Sequence, residues 1–198
     1  MQYFDTLPKI IQTDSNRTSI ILTNLMARVS IVPEFLKNPV IYYDYDIQEG
    51  DTPETIAYKY YGDSYRYWIV LFTNQIVDPQ WDWPIESTSF NKYIEDKYQT
   101  FNPYSTIKYY EKIVTKYDSS TQTTSVEKIV IDEDTYNTLT DSTNTYVTAT
   151  NSVTITITKR AVTYYDYEVD LNDAKRTIKI LNSIYVDEVE KQFKSLLS

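Results

Sequence analysis

The chain has 198 residues, 41% hydrophobic and 24% charged, enough to bury a core in one domain or two small ones. It holds neither His nor Cys, which removes Ser-His-Asp and Cys nucleophiles, imidazole or thiolate zinc sites and disulfides. A formal net charge of −9 argues against nucleic-acid binding, which needs excess Lys and Arg, and no apolar run approaches the roughly 18 residues of a membrane span.

Met1 to Pro8 lacks a charged segment followed by an apolar one, so no Sec-type signal peptide is expected. With only Gly50 and Gly62, the phosphate-cradling glycine motifs are missing. The 21 tyrosines and abundant threonines suit half-buried strands, and Tyr also suits contact surfaces.

Residues 1–42 are read as an N-terminal interaction arm. Pro8, Pro33 and Pro39 interrupt any periodicity there, and each disfavours helix at the residue before it. The apolar residues Phe4, Leu7, Ile10 and Ile11 are expected to pack on a surface outside the domain, the alternative being a cap folded on the chain's own domain.

From Tyr43 the signals sharpen. Tyr43, Tyr45 and Ile47 alternate with Asp44 and Asp46, the period of a strand. Gln48 to Asp51 reads as a turn, with Gly50 free to take positive φ. Thr52 is an N-cap, Pro53 fits the first helical position, and Gly62 ends the helix in the left-handed conformation. A second helix is predicted with Tyr65, Trp68, Ile69 and Phe72 on its apolar face, ending at Asn74. Ile76 to Pro84 reads as a rigid loop with Trp81 and Trp83 on one side. A third helix carries Phe90, Tyr93, Ile94 and Tyr98.

Beyond Thr100 the chain reads as β-rich. Strands are predicted at Ile107–Lys116, Val126–Ile131 and around Val153–Thr158, with a polar hairpin tip at Ser119–Thr124 and one helical turn near Asp134–Leu139. Thr163–Val169 and Arg176–Leu181 read as a hairpin turning at Asn172-Asp173. Ser183 opens a final helix with Val186, Val189, Phe193, Leu196 and Leu197 as its stripe.

The run Tyr45–Thr52, Ile56-Ala57, Tyr61-Gly62, Trp68, Leu71 and Asn74-Gln75-Ile76 resembles a LysM domain, a βααβ unit that commonly binds N-acetylglucosamine polymers. The end departs from that pattern: Asp78-Pro79, Trp81-Asp82-Trp83-Pro84 and a helix stand where a glycine loop and second strand are usual. The longer set, Gly50 to Ala57, Tyr61-Gly62-Asp63, Tyr67-Trp68, Asn74, Asp78-Pro79 and Asp82-Trp83-Pro84, is similar to the T4-type phage baseplate wedge family with a LysM-like domain, wedge subunit 53.

That resemblance implies a non-enzymatic structural subunit of a contractile tail baseplate, joining wedge components around the hub. Its implied partners are other wedge, hub or sheath-proximal proteins in multiple copies per ring. Its implied place is the virion, after assembly in the host cytoplasm.

The expected architecture is α+β: the arm at 1–42, a LysM-like βαα unit with appended helix at 43–98, and a β-rich region with a C-terminal helix at 99–198. No catalytic, cofactor or metal site is expected. The acidic residues near Asp51 and the run Asp132-Glu133-Asp134 read as solvated faces rather than an acid pair or calcium loop.

The candidate interaction residues beyond the arm are Gly50, Asp51, Thr52, Asn74, Asp78, Trp81 and Trp83. An alternative reading takes the loops around Gly50–Thr52 and Asn74–Pro79 as a peptidoglycan-binding groove that attaches a particle to a cell wall.

Overall fold

The computed structural model describes residues 3, 7–13, 18–27, 29, 38, 40–148 and 150–197. Phe4 and most of the expected arm beyond Ala27 lie outside the described residues. The chain forms two compact units, one from Met1–Ser87 with Asn172–Ser198 and one from Thr88–Leu171. This partition differs from boundaries at 42 and 98, because a strand late in the chain completes the first unit.

In the first unit, β3 (Tyr42–Asp46) is followed by α1 (Pro53–Tyr61) and α2 (Tyr67–Thr73). Its partner strand is β8 (Thr177–Leu181), antiparallel, with Tyr42 opposite Leu181 and Asp46 opposite Thr177. The expected βαα unit is thus closed into β–α–α–β by a strand from far along the chain. The strand period is as expected, but both faces of β3 pack: Tyr43 and Tyr45 stack on Tyr60, while Tyr42 on the opposite face is buried.

The caps of α1 follow the sequence closely. Thr52 caps the N-terminus, and its hydroxyl and that of Thr55 exchange bonds with each other's backbone N–H. Gly62 sits at φ 69°, where its N–H donates to the carbonyl of Tyr58. Asp63 then caps a tight 3-10 turn at Ser64–Arg66 before α2 begins. That turn has about three residues per revolution rather than 3.6, so it shifts the phase of the expected apolar face. Trp68 and Ile69 are buried as predicted, but Tyr65 is exposed.

The core gathers Ile56, Ala57, Ile69, Val70, Ile178, Ile180 and Leu181. Helix α7 (Val186–Leu197) closes it with Val186, Phe193 and Leu197; Leu196, predicted for the same stripe, is exposed. Trp68 stacks on Phe193 at 4.8 Å and on Tyr3 at 5.8 Å between ring centres. Arg66 ties α7 down by bonding Asp187 (2.8 Å) and Glu190 (3.0 Å).

The segment expected as a rigid loop includes a single helical turn, α3 (Pro79–Asp82), capped by Asp78. A helical turn does not keep alternate residues on one side, so Trp81 and Trp83 part: Trp81 is exposed and Trp83 packs against the core.

The second unit is inserted between α3 and β8. Helix α4 (Ser87–Lys97) leads into it and buries Phe90 and Ile94, as predicted. Strands β4 (Ile107–Asp118), β5 (Thr123–Ile131), β6 (Ser142–Val147) and β7 (Ser152–Thr163) form an antiparallel sheet in the order β5-β4-β7-β6. Helix α5 (Glu133–Thr138) is the expected turn, opened by Asp132, whose carboxylate accepts from the N–H and hydroxyl of Thr135. Strand β6 was not anticipated.

The predicted hairpin of Thr163–Val169 with Arg176–Leu181 is corrected. Residues Tyr164–Asp173 form helix α6, and β8 leaves to pair with β3. The signal was Thr163-Tyr-Tyr-Asp166: Thr163 N–H and hydroxyl donate to Asp166 (3.1 and 2.8 Å), and Asp166 N–H returns a bond to the Thr163 hydroxyl. That reciprocal cap starts a helix whatever the β-propensity of the tyrosines between.

Glu168 of α6 is buried and accepts from Tyr98 (2.7 Å), Lys97 (2.8 Å) and Tyr93 (3.2 Å) of the α4 region. Burial pushes its carboxyl up, but these bonds and the Lys97 charge outweigh that and hold it below the ordinary range. Among the described residues no helix is long and apolar enough to cross a membrane.

Asn172, expected at a hairpin turn, is a buried clamp. Its side chain accepts from Ile85 N–H (2.7 Å) and donates to Ile85 carbonyl (3.0 Å). The chain therefore leaves and re-enters the first unit at nearly one point. Replacing 88–171 by a short Gly-Ser linker should leave a cooperatively folding first unit, read by near-ultraviolet circular dichroism and thermal melting. Asn172→Ala in the full chain should cost about 1–3 kcal/mol in urea unfolding, since it strands a buried N–H and C=O.

The lowered pKa of Glu168 stabilises the fold above the unfolded value, and that increment is lost as pH falls through the depressed folded value. Glu168→Gln should therefore flatten the decline of stability below about pH 4, measured by urea titrations at successive pH values.

Candidate functional site

Several of the described interaction candidates lie at two places in the first unit. The first is the turn between β3 and α1 with the segment that returns past it. Gly50 takes φ 84° and nothing lies near where a Cβ would stand, so it serves the turn backbone, not a close approach. The Asp51 carboxylate is engaged inside the turn, accepting from Tyr45 hydroxyl (2.6 Å) and Gln48 N–H (2.9 Å). Burial, with the bond to Asp51, raises the Tyr45 phenol above its usual pKa, so it stays a donor. Thr52 is occupied as the α1 cap.

Trp83 crosses to this turn, and its indole N–H donates to the Asp51 carbonyl at 3.0 Å. Ser87 N–H donates to Glu49 at 2.6 Å. The bonds from Ser87 hold the Glu49 carboxyl below its ordinary pKa, with Arg176 a minor contributor. These residues frame a cleft of about 540 Å³, lined by Asp51, Tyr67, Trp83, Pro84, Glu86 and Arg176 among others.

Asn74, predicted for the same groove, is not among its lining residues. Its side-chain amide donates to the carbonyls of Val70 and Lys179 (both 2.8 Å) and accepts from Lys179 N–H (2.7 Å). It joins the end of α2 to the outer edge of β8. Gln75 follows at φ 56°, with Ile76 N–H reaching the Leu71 carbonyl, the bonding of a left-handed helix cap built without glycine. Asp78 accepts from Gln80 N–H as the α3 cap. Trp81 projects 61% exposed near Val77, 82% exposed, while its carbonyl accepts from Lys175.

The second surface is a hairpin, β1 (Lys9–Thr13) paired antiparallel with β2 (Ser19–Thr23). Leu7, just before it, is buried in the first unit's own core together with Tyr3 packed against it. Ile10 and Ile11 are 46% and 72% exposed. Their register partners are Leu22 and Ile21, so each face of the hairpin carries a bare aliphatic pair. Ile20, Ile21 and Leu22, an apolar run in the sequence, are not among the expected contact residues. Their role was missed because the pairing that sets them opposite Ile10 and Ile11 depends on register. Among the described residues no group of His, Cys, Asp or Glu is arranged to hold a metal ion.

The family model for base plate wedge protein 53 matches residues 3–196, which takes in the hairpin and both compact units. The chain belongs to that family. It is accordingly a structural subunit of the phage tail baseplate, part of the virion. No curated protein matches the chain in a sequence search.

For this wedge protein the geometry sorts the candidate residues by what they hold. Asn74→Ala should lower stability by about 1–3 kcal/mol in chemical unfolding, because it exposes the backbone of Lys179 and unties α2 from β8. Trp81→Ala, by contrast, should leave the melting temperature within about a degree, since the ring is largely exposed.

Proposed function

We propose that this baseplate subunit is a connector that joins wedge components around the hub, gripping one neighbour with the β1–β2 hairpin and another with its LysM-like β3–α1–α2–β8 unit. The observation that carries the reading is the hairpin. A two-stranded hairpin is at best marginal alone, and this one exposes Ile10, Ile11, Ile20 and Ile21 across both faces. Each such side chain would contribute roughly 1.5–3 kcal/mol when fully buried. Two-sided exposure suits a hairpin that slots between surfaces. Tyr3 and Leu7 then root the hairpin in the subunit that presents it.

The second contact is assigned to the protruding Trp81 with Val77. Contacts spread along one chain reinforce each other, since engagement of one holds the next at high effective concentration. The role requires no catalysis. Its partners are other wedge, hub or sheath-proximal proteins, met several times in one ring during assembly in the host cytoplasm.

The double variant Ile11→Lys with Ile21→Lys tests this. It should melt like the parent, because neither residue belongs to the core, yet fail to enter baseplate intermediates separated by sedimentation. Normal incorporation of a folded double variant would sink the proposal.

The cleft framed by Asp51, Tyr67 and Trp83 favours a second reading, in which the unit binds cell-wall glycan. Against it, Asp51 and Asn74 are engaged within the fold. Saturable retention on insoluble peptidoglycan, lost on Tyr67→Ala in a variant that still melts cooperatively, would favour that reading.

A further inference from the structure

Strand β6 is an outer strand of the second unit's sheet, and all six of its residues are exposed. The direction of its backbone follows from bonds at the sheet's tip. Ser152 turns its backbone towards β4: its carbonyl accepts from Ser119 N–H (3.0 Å) and its N–H donates to the Ser119 hydroxyl (2.9 Å). Beside it, Thr148 N–H donates to the Asn151 carbonyl (2.7 Å). The register partner of Ser152 is Val147, so Val147 directs its own N–H and C=O at the open edge. In an antiparallel ladder this direction alternates, so Thr145 and Thr143 do the same, while Asn144 and Tyr146 bond β7.

Outer strands are commonly guarded by Lys, Pro, a bulge or an inward charge. Here β5, the other outer strand, carries Glu127 and Lys128. Strand β6 has no such guard, and its register with β7 is unbroken. From Ser142 to Thr158 there is no charged side chain, in a chain where 24% of residues are charged.

The two sides of the edge also differ. On one, Thr143 and Thr145 hydroxyls bond those of Thr156 (3.3 Å) and Thr154 (3.1 Å). On the other, Tyr146 stands 60% exposed opposite Val153.

We propose that this edge receives an extended, uncharged strand of another protein, completing a fifth strand of the sheet. The edge offers no charged side chain to pair with, so a Lys or Asp on the occupant would gain no ion pair there, whereas Thr and β-branched residues gain cross-strand contacts with Thr143, Thr145 and Tyr146. The matching chemistry is alternating Ser or Thr, facing Thr143 and Thr145, with β-branched apolar residues facing Tyr146. Strand β7, already paired to the other side of β6, has that pattern. A second copy of the chain is disfavoured as occupant, because two molecules of net charge −9 repel.

The test uses the full chain and a capped peptide with the sequence of Val153–Thr158 at millimolar concentration, read by residue-resolved amide exchange. The amides of Thr143, Thr145 and Val147 should slow by about tenfold or more, with those of Asn144 and Tyr146 unchanged. The same peptide with Lys in place of two threonines should give less protection at high salt, where its attraction to the chain's net charge of −9 is screened. Thr145→Pro removes an outward N–H and the hydroxyl bond to Thr154 but no backbone bond to β7, so β6 should stay paired to β7, seen as unchanged Asn144 and Tyr146 exchange, while peptide protection is lost.

Absence of protection would overturn the proposal. So would equal protection by the charged peptide at high salt, or protection that persists in Thr145→Pro. Amides already slow in a peptide-free dimer would assign the edge to a second copy instead. None of these outcomes bears on the hairpin, so the connector reading stands or falls separately.

Discussion

The first unit depends on the pairing of β3 with β8, strands that lie on either side of the whole inserted unit. Without β8 the α1–α2 pair would have no sheet to cover, and Ile178, Ile180 and Leu181 would be missing from its core. Two asparagines secure this arrangement by acting as substitutes for peptide groups. Asn74 bonds both the N–H and the C=O of Lys179, occupying the edge of β8 as another strand would. Asn172 does the same to Ile85 where the chain re-enters the unit. A side-chain amide has one donor side and one acceptor side, as a peptide does, which suits it to both places. Few other side chains could satisfy a backbone donor and acceptor together without a charge.

Charge is managed in the same economical way. Arg66 anchors α7 through Asp187 and Glu190, and Lys97 with two tyrosines satisfies the buried Glu168. Arg160 stands among Asp170 at 3.1 Å and Glu111 and Asp166 at 3.6 Å. These contacts use several of the few cations in an acidic chain to hold internal joints. The surfaces proposed above as contacts are mostly not ionic: aliphatic on the β1–β2 hairpin, aromatic at Trp81, uncharged along β6. For a subunit of a large assembly this has a physical advantage. Apolar and backbone-mediated contacts are less sensitive to salt than surface ion pairs.

The inserted unit is a sheet with a short helix against one part, α5 through Tyr136 on Tyr110, and α6 through Tyr167 near Tyr109. Tyr109 and Tyr110 are adjacent in a strand, so these helices meet opposite faces. The tips of the strands beyond carry Ser, Thr and Asn bonded to each other, as in Ser119 with Asn151 and Ser152. The Asp118 carboxylate joins this network, accepting from the N–H and hydroxyl of Ser120.

Local chemistry made much of this legible in advance. The Thr52 cap, the left-handed Gly62, the end of α2 at Asn74 and the strands around Ile107 and Val153 were readable because each is decided by residues within a few positions. The family was legible too, from an ordered set of short motifs around the same helices. Helix α6 was misread although its Thr163–Asp166 cap is equally local, since the tyrosines after it also suit a strand.

Only the tertiary structure decided which strand β8 would join, that Leu7 belongs to the core while Ile10 and Ile11 do not, and that Trp83 packs inward while Trp81 projects. The reason is common to all of them. Burial and strand partnership are properties of pairs of segments far apart in the chain, and no pattern within one segment carries information about its partner.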